Sequence, residues 1–160
     1  MQVYQMYKDM LYNVSFRILR QEHDAQDMVH DTFIKAFQNI QKLDNSLHLG
    51  PWLKRIVVNC SLDHLKKRKK LSWIEESFDQ PEETNSDEES NEGPYKLKDV
   101  KEAINALKDK YRIIIVLYLI ENYSHKEIAQ HLGLKESTVR NQYRRGKLQL
   151  QELIQNKVMS

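Results

Sequence analysis

Residues 124–147 read SHKEIAQHLGLKESTVRNQYRRGK, and this stretch decides the fold. Ser124 and Glu127 stand at the S-x-x-E spacing of a capping box, which opens a helix by satisfying two of its free N–H groups. Ile128, Ala129 and Leu132 then recur at helical spacing, and Ala129 is small enough to sit where two helices cross. Gly133 follows as a turn residue, and Leu134 leads to a second helix beginning near Glu136. That helix presents Val139, Tyr143, Gly146, Leu150 and Leu153 as a packing stripe. Short capped helix, turn glycine and longer helix together make a helix-turn-helix. Arg140, Asn141, Arg144 and Lys147 fall on the face opposite the stripe, and residues 124–160 carry 7 Lys+Arg against 3 Asp+Glu. Long donor side chains near the start of a second helix can reach major-groove base edges and phosphates. The bland alternative is a helical hairpin with a solvated basic face.

Upstream, Leu97, Val100, Ile104 and Leu107 form another helical stripe. Residues 111–120, YRIIIVLYLI, are apolar on nearly every side. Their β-branched content would suit a strand, but the flanking helices favour a buried helix. Residues 73–95 read WIEESFDQPEETNSDEESNEGPY and change the character of the chain. They hold 9 acidic and no basic side chains, two prolines and few aliphatic residues. Such a segment buries too little apolar surface to offset its ordering entropy and reads as a linker. If flexible, it would span about 26 Å in the root mean square.

Residues 1–72 read as a first helical module. Val3, Tyr7, Met10, Val14 and Ile18 form one stripe, and Ala25, Val29, Phe33, Ala36/Phe37 and Ile40 a second. Asp24 is the expected N-cap of the second helix, with Asp27 in its first turn. Residues 44–50 are a loop, and Pro51 suits a first helical position. Leu53, Ile56/Val57, Cys60 and His64 give the next helix a core face, and it runs into the basic residues 66–70. The expected fold is therefore all-α: two small helical domains, 1–72 and 96–160, joined by the acidic linker 73–95.

Composition supports this organisation. The chain has 160 residues, 40% hydrophobic and 30% charged, with only 4 Gly and 3 Pro, too few for a turn-rich sandwich or barrel. A single cysteine, Cys60, excludes a disulfide framework within the chain and suits a reducing cytosol. No apolar run approaches a membrane span, and the first 20 residues do not read as a signal peptide. The net charge of +2 conceals segregation. Residues 1–72 hold 12 Lys+Arg and 7 Asp+Glu, and residues 96–160 hold 13 and 7, so two basic modules flank an acidic strap. Basic modules suit a polyanion, because each neutralised phosphate releases counterions.

Two further constellations bear on chemistry. Trp52, Arg55, Asn59, Asp63, Lys66 and Lys70 share one face of the helix that starts at Pro51. An aromatic ring among cations and an amide is what single-stranded DNA needs: bases stack on the ring and the backbone follows the cations. Alternatively, Trp52 is simply a core residue. Residues 23–31, HDAQDMVHD, place Asp24, Asp27 and Asp31 beside His23 and His30. One helix rarely closes a metal's coordination sphere, so an acidic face for solvent or a partner is the expectation. No nucleophile–base pairing and no phosphate-cradling glycine loop is present.

DAQDMVHDTFIKAFQNI at 24–40 followed by PWLKRIVVNCSLDHLKKRKK at 51–70 resembles region two of the extracytoplasmic-function family of bacterial sigma factors. Residues 97–150, which contain the helix-turn-helix, resemble region four of the same family. The helix-turn-helix alone is shared with many regulators; its order after the D-A-x-D and W-L-x-R-I-x-x-N segments makes the match specific. The resemblance implies that Asp24, Asp27, Val29, Asp31 and Phe33 dock on the clamp helices of core RNA polymerase. It implies that Trp52, Arg55, Asn59, Asp63 and Lys66 open the minus-ten element, and that the 44–50 loop captures a flipped base. Residues 135–147, with Lys135, Ser137, Thr138, Arg140, Asn141, Arg144, Arg145 and Lys147, would read the minus-thirty-five element. The implied partners are core RNA polymerase, promoter DNA and an anti-sigma factor that could be membrane-bound. No cofactor, metal, small-molecule substrate or catalytic activity of its own is implied, and the expected location is the cytoplasm.

The chain departs from the family pattern in places. Lys135 replaces a capping Ser or Asn, so Ser137 would cap instead; Gly146 replaces an Ala and would loosen its helix; His30 replaces a Gln. The alternative function is a helix-turn-helix regulator that binds duplex DNA independently of polymerase. A third reading is a helical metalloprotein built on residues 23–31.

Overall fold

A computed structural model describes residues 2–43, 48–69 and 97–159. The linker expected at 73–95, most of the 44–50 loop and Lys70 lie outside the described residues. The chain divides into two compact units, Met1–Leu71 and Ser72–Ser160, and every regular element among the described residues is helical.

The first unit holds α1 (Gln2–Leu19), α2 (Glu22–Gln38), a short 3-10 turn (Ile40–Lys42) and α3 (Leu49–Lys69). Each long helix packs on the other two. The core comprises Leu11, Val14 and Ile18 of α1, Ala25, Met28, Val29, Phe33 and Ala36 of α2, and Leu53, Val57, Leu62 and Leu65 of α3. Three buried hydroxyls are satisfied: Ser15 Oγ and Ser61 Oγ share a 2.8 Å hydrogen bond between α1 and α3, and Thr32 Oγ1 donates to the Met28 carbonyl of its own helix at 2.6 Å. Unpaired, each would cost about 1–3 kcal/mol.

α1 ends in a left-handed residue, Arg20 (φ 59°), whose N–H reaches the Phe16 carbonyl at 2.8 Å. A left-handed non-glycine residue costs about 1–2 kcal/mol. The Arg20 guanidinium lies over the Phe16 ring, 4.8 Å from its centroid, which offsets part of that cost. This sharp turn starts α2 earlier than expected. Gln21, not Asp24, occupies the N-cap without a side-chain cap bond, and Asp24 lies inside the first turn. The α2 stripe also needs correction. Phe37 is 59% exposed and Ile40 48%, because Ala36 completes the buried face and the helix gives way to the 3-10 turn. His64 of α3 is half-buried rather than core.

The second unit holds α4 (Leu97–Ala106), α5 (Asp109–Ile115), a wide π-turn that prolongs it (Val116–Ile120), α6 (His125–Leu132) and α7 (Glu136–Met159). α7 is the spine against which α4, α5 and α6 all pack. Helix wins over strand at 111–120, where Ile113 through Leu117 are fully buried. Buried Arg112 is neutralised at once by Asp109 Oδ1, 2.7 Å away. Leu97, expected in the α4 stripe, is 69% exposed at the first position of the helix; Ala103, Ile104 and Leu107 carry the packing. Lys157 Nζ donates to Glu102 Oε2 at 2.5 Å, tying α7 to α4 and holding that carboxyl below its ordinary range.

The expected capping box is present: Glu127 N donates to Ser124 Oγ at 3.1 Å and Ser124 N to Glu127 Oε1 at 3.3 Å. Gly133 adopts the left-handed conformation that ends α6 (φ 68°, ψ 32°), and Leu134 N closes back on the Ala129 carbonyl at 2.9 Å. α7 begins at Glu136, with Val139 N bonded to the Lys135 carbonyl at 3.1 Å. Ser137 therefore lies within the helix and is not its flanking cap. Leu153 is half-buried, and Ile154 takes the core position expected of it. Gly146 does not loosen α7. A Cβ there would lie 3.1 Å from Tyr111 Cβ and 3.3 Å from Ile115 Cγ1, so the glycine is what lets α7 approach α5.

Candidate nucleic-acid and partner interfaces

Three outward faces carry the residues singled out by sequence. The first is on α7, whose inner side is fixed by buried Val139, Gln142 and Gly146. At about 100° per residue, Arg140, Arg144 and Lys147 project within roughly 60° of one another on another side. Arg140 is exposed, and its guanidinium is held by Glu136 one turn earlier at 2.7 Å. Lys135 and Ser137 are exposed at the start of the helix, and Thr138, Asn141, Arg144, Arg145 and Lys147 are half-buried along it.

An aromatic cluster absent from the sequence reading ties this face to α6. His125 stacks parallel on Tyr118, with ring centroids 4.2 Å apart, and Tyr143 closes on both at 4.6 Å and 5.3 Å. Tyr118 comes from the π-turn, His125 from the start of α6 and Tyr143 from α7, so the cluster locks the helix-turn-helix onto the helix before it. Burial, then the charge of Arg140, pulls the His125 imidazole below its ordinary pKa, with Glu136 acting the other way. Burial, then Tyr118, pushes the Tyr143 phenol up.

The second face is on α3. Arg55, Asn59 and Asp63 are exposed and Trp52 and Lys66 half-buried, all on one side, opposite the buried Leu53, Val57 and Leu65. Trp52 is thus neither a core residue nor fully exposed. It shares this side of the helix with the cation and the amide.

The third face is on α2, and here the structure rearranges the expected set. Asp27 and Asp31 are exposed. Val29 and Phe33 are each only 5% exposed, on the side packed against α1 and α3, so they support the face from within. Asp24 is turned toward α3, where its carboxylate meets Arg68 and His64. The exposed apolar groups on this side are Ile34 (55% exposed), which the sequence reading left out, and Phe37 (59%), which it placed in the core stripe. Their signal was present: residues 27, 30/31, 34 and 37 repeat at helical spacing on the side opposite 25, 29, 32 and 36. A recess of about 350 Å³ between α1 and α2, lined in part by Tyr4, Asp9, Tyr12 and His30, adjoins this face. Among the described residues no three His, Cys, Asp or Glu side chains gather as a metal site, and no helix is long and apolar enough to cross a membrane.

Comparison with known proteins bears on the chain as a whole. The family profile for sigma-70 region 2 matches residues 3–71, and that for sigma-70 region 4 matches residues 97–150. The chain is 32% identical over 149 residues to the ECF RNA polymerase sigma factor SigE of Mycolicibacterium smegmatis, a match that covers 91% of this chain and 58% of that protein. It is 28% identical over 161 residues to the ECF RNA polymerase sigma factor SigW of Bacillus subtilis, covering 94% of this chain and 86% of the relative. The sigma factor RpoE of Bartonella quintana, solved in complex with the anti-sigma factor NepR, shares the fold with a TM-score of 0.57 at 24% identity, over 96% of this chain and 95% of that one. With region 2 and region 4 both matched, in that order and over nearly all of the described helices, the chain belongs to the extracytoplasmic-function family of RNA polymerase sigma factors within the sigma-70 superfamily.

Proposed function

We propose that this sigma factor binds core RNA polymerase through the outward α2 face, directs it to promoters and helps to open them. The observation that carries the reading is the pairing of exposed Ile34 and Phe37 with the acidic side chains Asp27 and Asp31 on one side of α2. Large apolar groups are costly in water, and rimmed by charge they mark a protein-binding surface. Burying Phe37 against a partner is worth about 1.5–3 kcal/mol. The carboxylates add selectivity for a basic partner, as expected of the polymerase clamp helices.

The other two faces divide the work on DNA. Arg140, Asn141, Arg144 and Lys147, with Lys135, Ser137, Thr138 and Arg145 beside them, suit the major groove of the minus-thirty-five duplex. Trp52, Arg55, Asn59, Asp63 and Lys66 suit the unpaired minus-ten strand, where the ring stacks a base and the cations follow the backbone. The protein supplies recognition and melting, and the polymerase forms the phosphodiester bonds, so no catalytic residue is assigned to this chain. It acts in the cytoplasm, and an anti-sigma factor regulates it by covering these faces, in keeping with the complex solved for the Bartonella sigma factor.

The test is run-off transcription by core polymerase on a promoter library, with and without this protein, beside capture of core by Asp31→Lys. Charge reversal places like charges together and costs several kcal/mol. Promoter-specific transcripts from the parent, and loss of core capture by Asp31→Lys with its helical circular dichroism intact, are expected. Full core affinity in that variant overturns the α2 assignment.

A further inference from the structure

The carboxylate of Asp24, in the first turn of α2, faces two groups from the last turns of α3 and accepts a hydrogen bond from one of them, Arg68. Arg68 Nη1 donates to its Oδ2 at 2.5 Å, and His64 Nε2 lies 3.4 Å from the same oxygen. The pair joins residues 44 apart in sequence, and the side chains of Asp24 and Arg68 keep only 18% and 25% of their exposure. Each charge also stands at the helix end that favours its sign: the carboxylate at the N-terminus of α2, the guanidinium at the C-terminus of α3. Arg68 belongs to the basic run 66–70, yet it is aimed at α2, while Lys66 lies on the Trp52 side of α3.

We infer that Asp24 is a positioning residue for the nucleic-acid face: its bridge to Arg68 withholds one cation of the basic run from DNA and pins the end of α3. This rests on the reading that the α3 face meets promoter DNA. It also removes Asp24 from the polymerase-contact set, because its oxygen is already engaged within the unit. Breaking the bridge on the acidic side releases a guanidinium at the edge of a track of cations, where phosphate is the available partner. One added phosphate contact steepens the dependence of log affinity on log salt by about 0.7 on single strands and 0.9 on duplex.

The experiment uses holoenzyme on a promoter with a premelted minus-ten bubble, with affinity measured between about 50 and 200 mM salt. Asp24→Asn should steepen the slope by about 0.7 to 0.9, Arg68→Gln alone should leave it unchanged, and the double variant should return to the parent value. Core affinity should stay within about twofold in all three, a readout that separates positioning from polymerase contact. The inference is overturned if Arg68→Gln alone flattens the slope, since Arg68 is then already on phosphate. It is equally overturned if folded Asp24→Asn leaves the slope unchanged, or loses core binding as Asp31→Lys does. Should Asp24→Asn lose helicity, the exchange Asp24→Arg with Arg68→Asp must restore it, and failure to do so refutes the bridge. Lys66→Ala in the parent is the separate control: if it leaves the slope unchanged, the DNA-facing role of α3 fails, whatever the bridge does.

Discussion

Replacing Gly146 with alanine sets a local preference against a tertiary contact, and the two predict opposite signs. In a helix interior alanine is favoured over glycine by about 0.8–1.0 kcal/mol, so the sequence alone expects Gly146→Ala to stabilise the protein. In the structure the new methyl would meet Tyr111 Cβ at 3.1 Å and Ile115 Cγ1 at 3.3 Å. Tyr111 Cβ is attached directly to the α5 backbone and cannot rotate away. The Ile115 side chain is fully buried, so it can yield only by displacing other core groups. Relief therefore requires α5 and α7 to part by a few tenths of an ångström, and overpacking of this kind costs about 1–3 kcal/mol. Subtracting the helix gain leaves a net loss of about 1 kcal/mol, equivalent to about 4–8 °C in the melting of a unit this size. The two units can unfold separately, so a bulk transition is a poor measure. Amide hydrogen exchange along α5 and α7 reads the local free energy. Faster exchange there, unchanged protection in α1 to α3 and weaker binding to the minus-thirty-five duplex are expected. Slower exchange in Gly146→Ala would refute the close-packing argument and restore the simple propensity reading.

Buried Phe33 and exposed Phe37 should fail differently: Phe33→Ala should cost about 3–5 kcal/mol and reduce helicity, whereas Phe37→Ala should keep its circular dichroism and lose affinity for core. Core binding by Phe37→Ala equal to the parent's would remove that ring from the docking face. Trp52→Ala should cost about 1–3 kcal/mol of stacking and find promoters but open them poorly, with a premelted bubble restoring much of its activity. Arg144→Ala should lose about 1–3 kcal/mol of upstream recognition that the bubble does not restore; permanganate footprinting on both templates checks this, and equal rescue of the two contradicts the division of labour. The lowered pKa of His125 implies that the unfolded chain takes up this proton more readily, so stability is lost as pH falls through the ordinary imidazole value of 6.5. His125→Phe, which retains a ring to stack on Tyr118, should lose less local stability in α6 between about pH 7.5 and 5.5, read by amide exchange corrected for its intrinsic pH dependence; an identical loss would mean that another group is responsible.

The features of the chain that are legible in its sequence are those made within one or two helical turns. Ser124 and Glu127 cap α6 because their partners are three residues away. Gly133 ends it because that residue alone must take a left-handed backbone, and the faces of α3 and α7 follow from counting 100° per residue. The order of the two family segments needed no coordinates either. Reading failed where several faces of one helix carry similar chemistry. On α2, Val29, Phe33, Ile34 and Phe37 are all apolar; the stripe placed Val29 and Phe33 inward but drew Phe37 in with them, and the family resemblance assigned the two buried residues to the partner face.

Sequence by itself determined an all-helical chain, a capped helix-turn-helix with a basic outer face, and an aromatic and basic stripe beginning at Trp52. Local propensity, capping and periodicity act along the chain and are written in neighbouring residues. Only the tertiary structure decided that Phe37 leaves the α2 stripe to meet solvent beside Ile34 while Val29 and Phe33 stay buried in it, since that depends on how α2 is rotated against α1 and α3. It also turned Asp24 from a cap and partner contact into the mate of Arg68, 44 residues away. Gly146 changed from a weak point into a point of closest approach, because Tyr111 and Ile115 stand across from it. Each of these reversals involves groups distant in sequence, whose meeting is set by packing of the whole unit and not by the residues on either side.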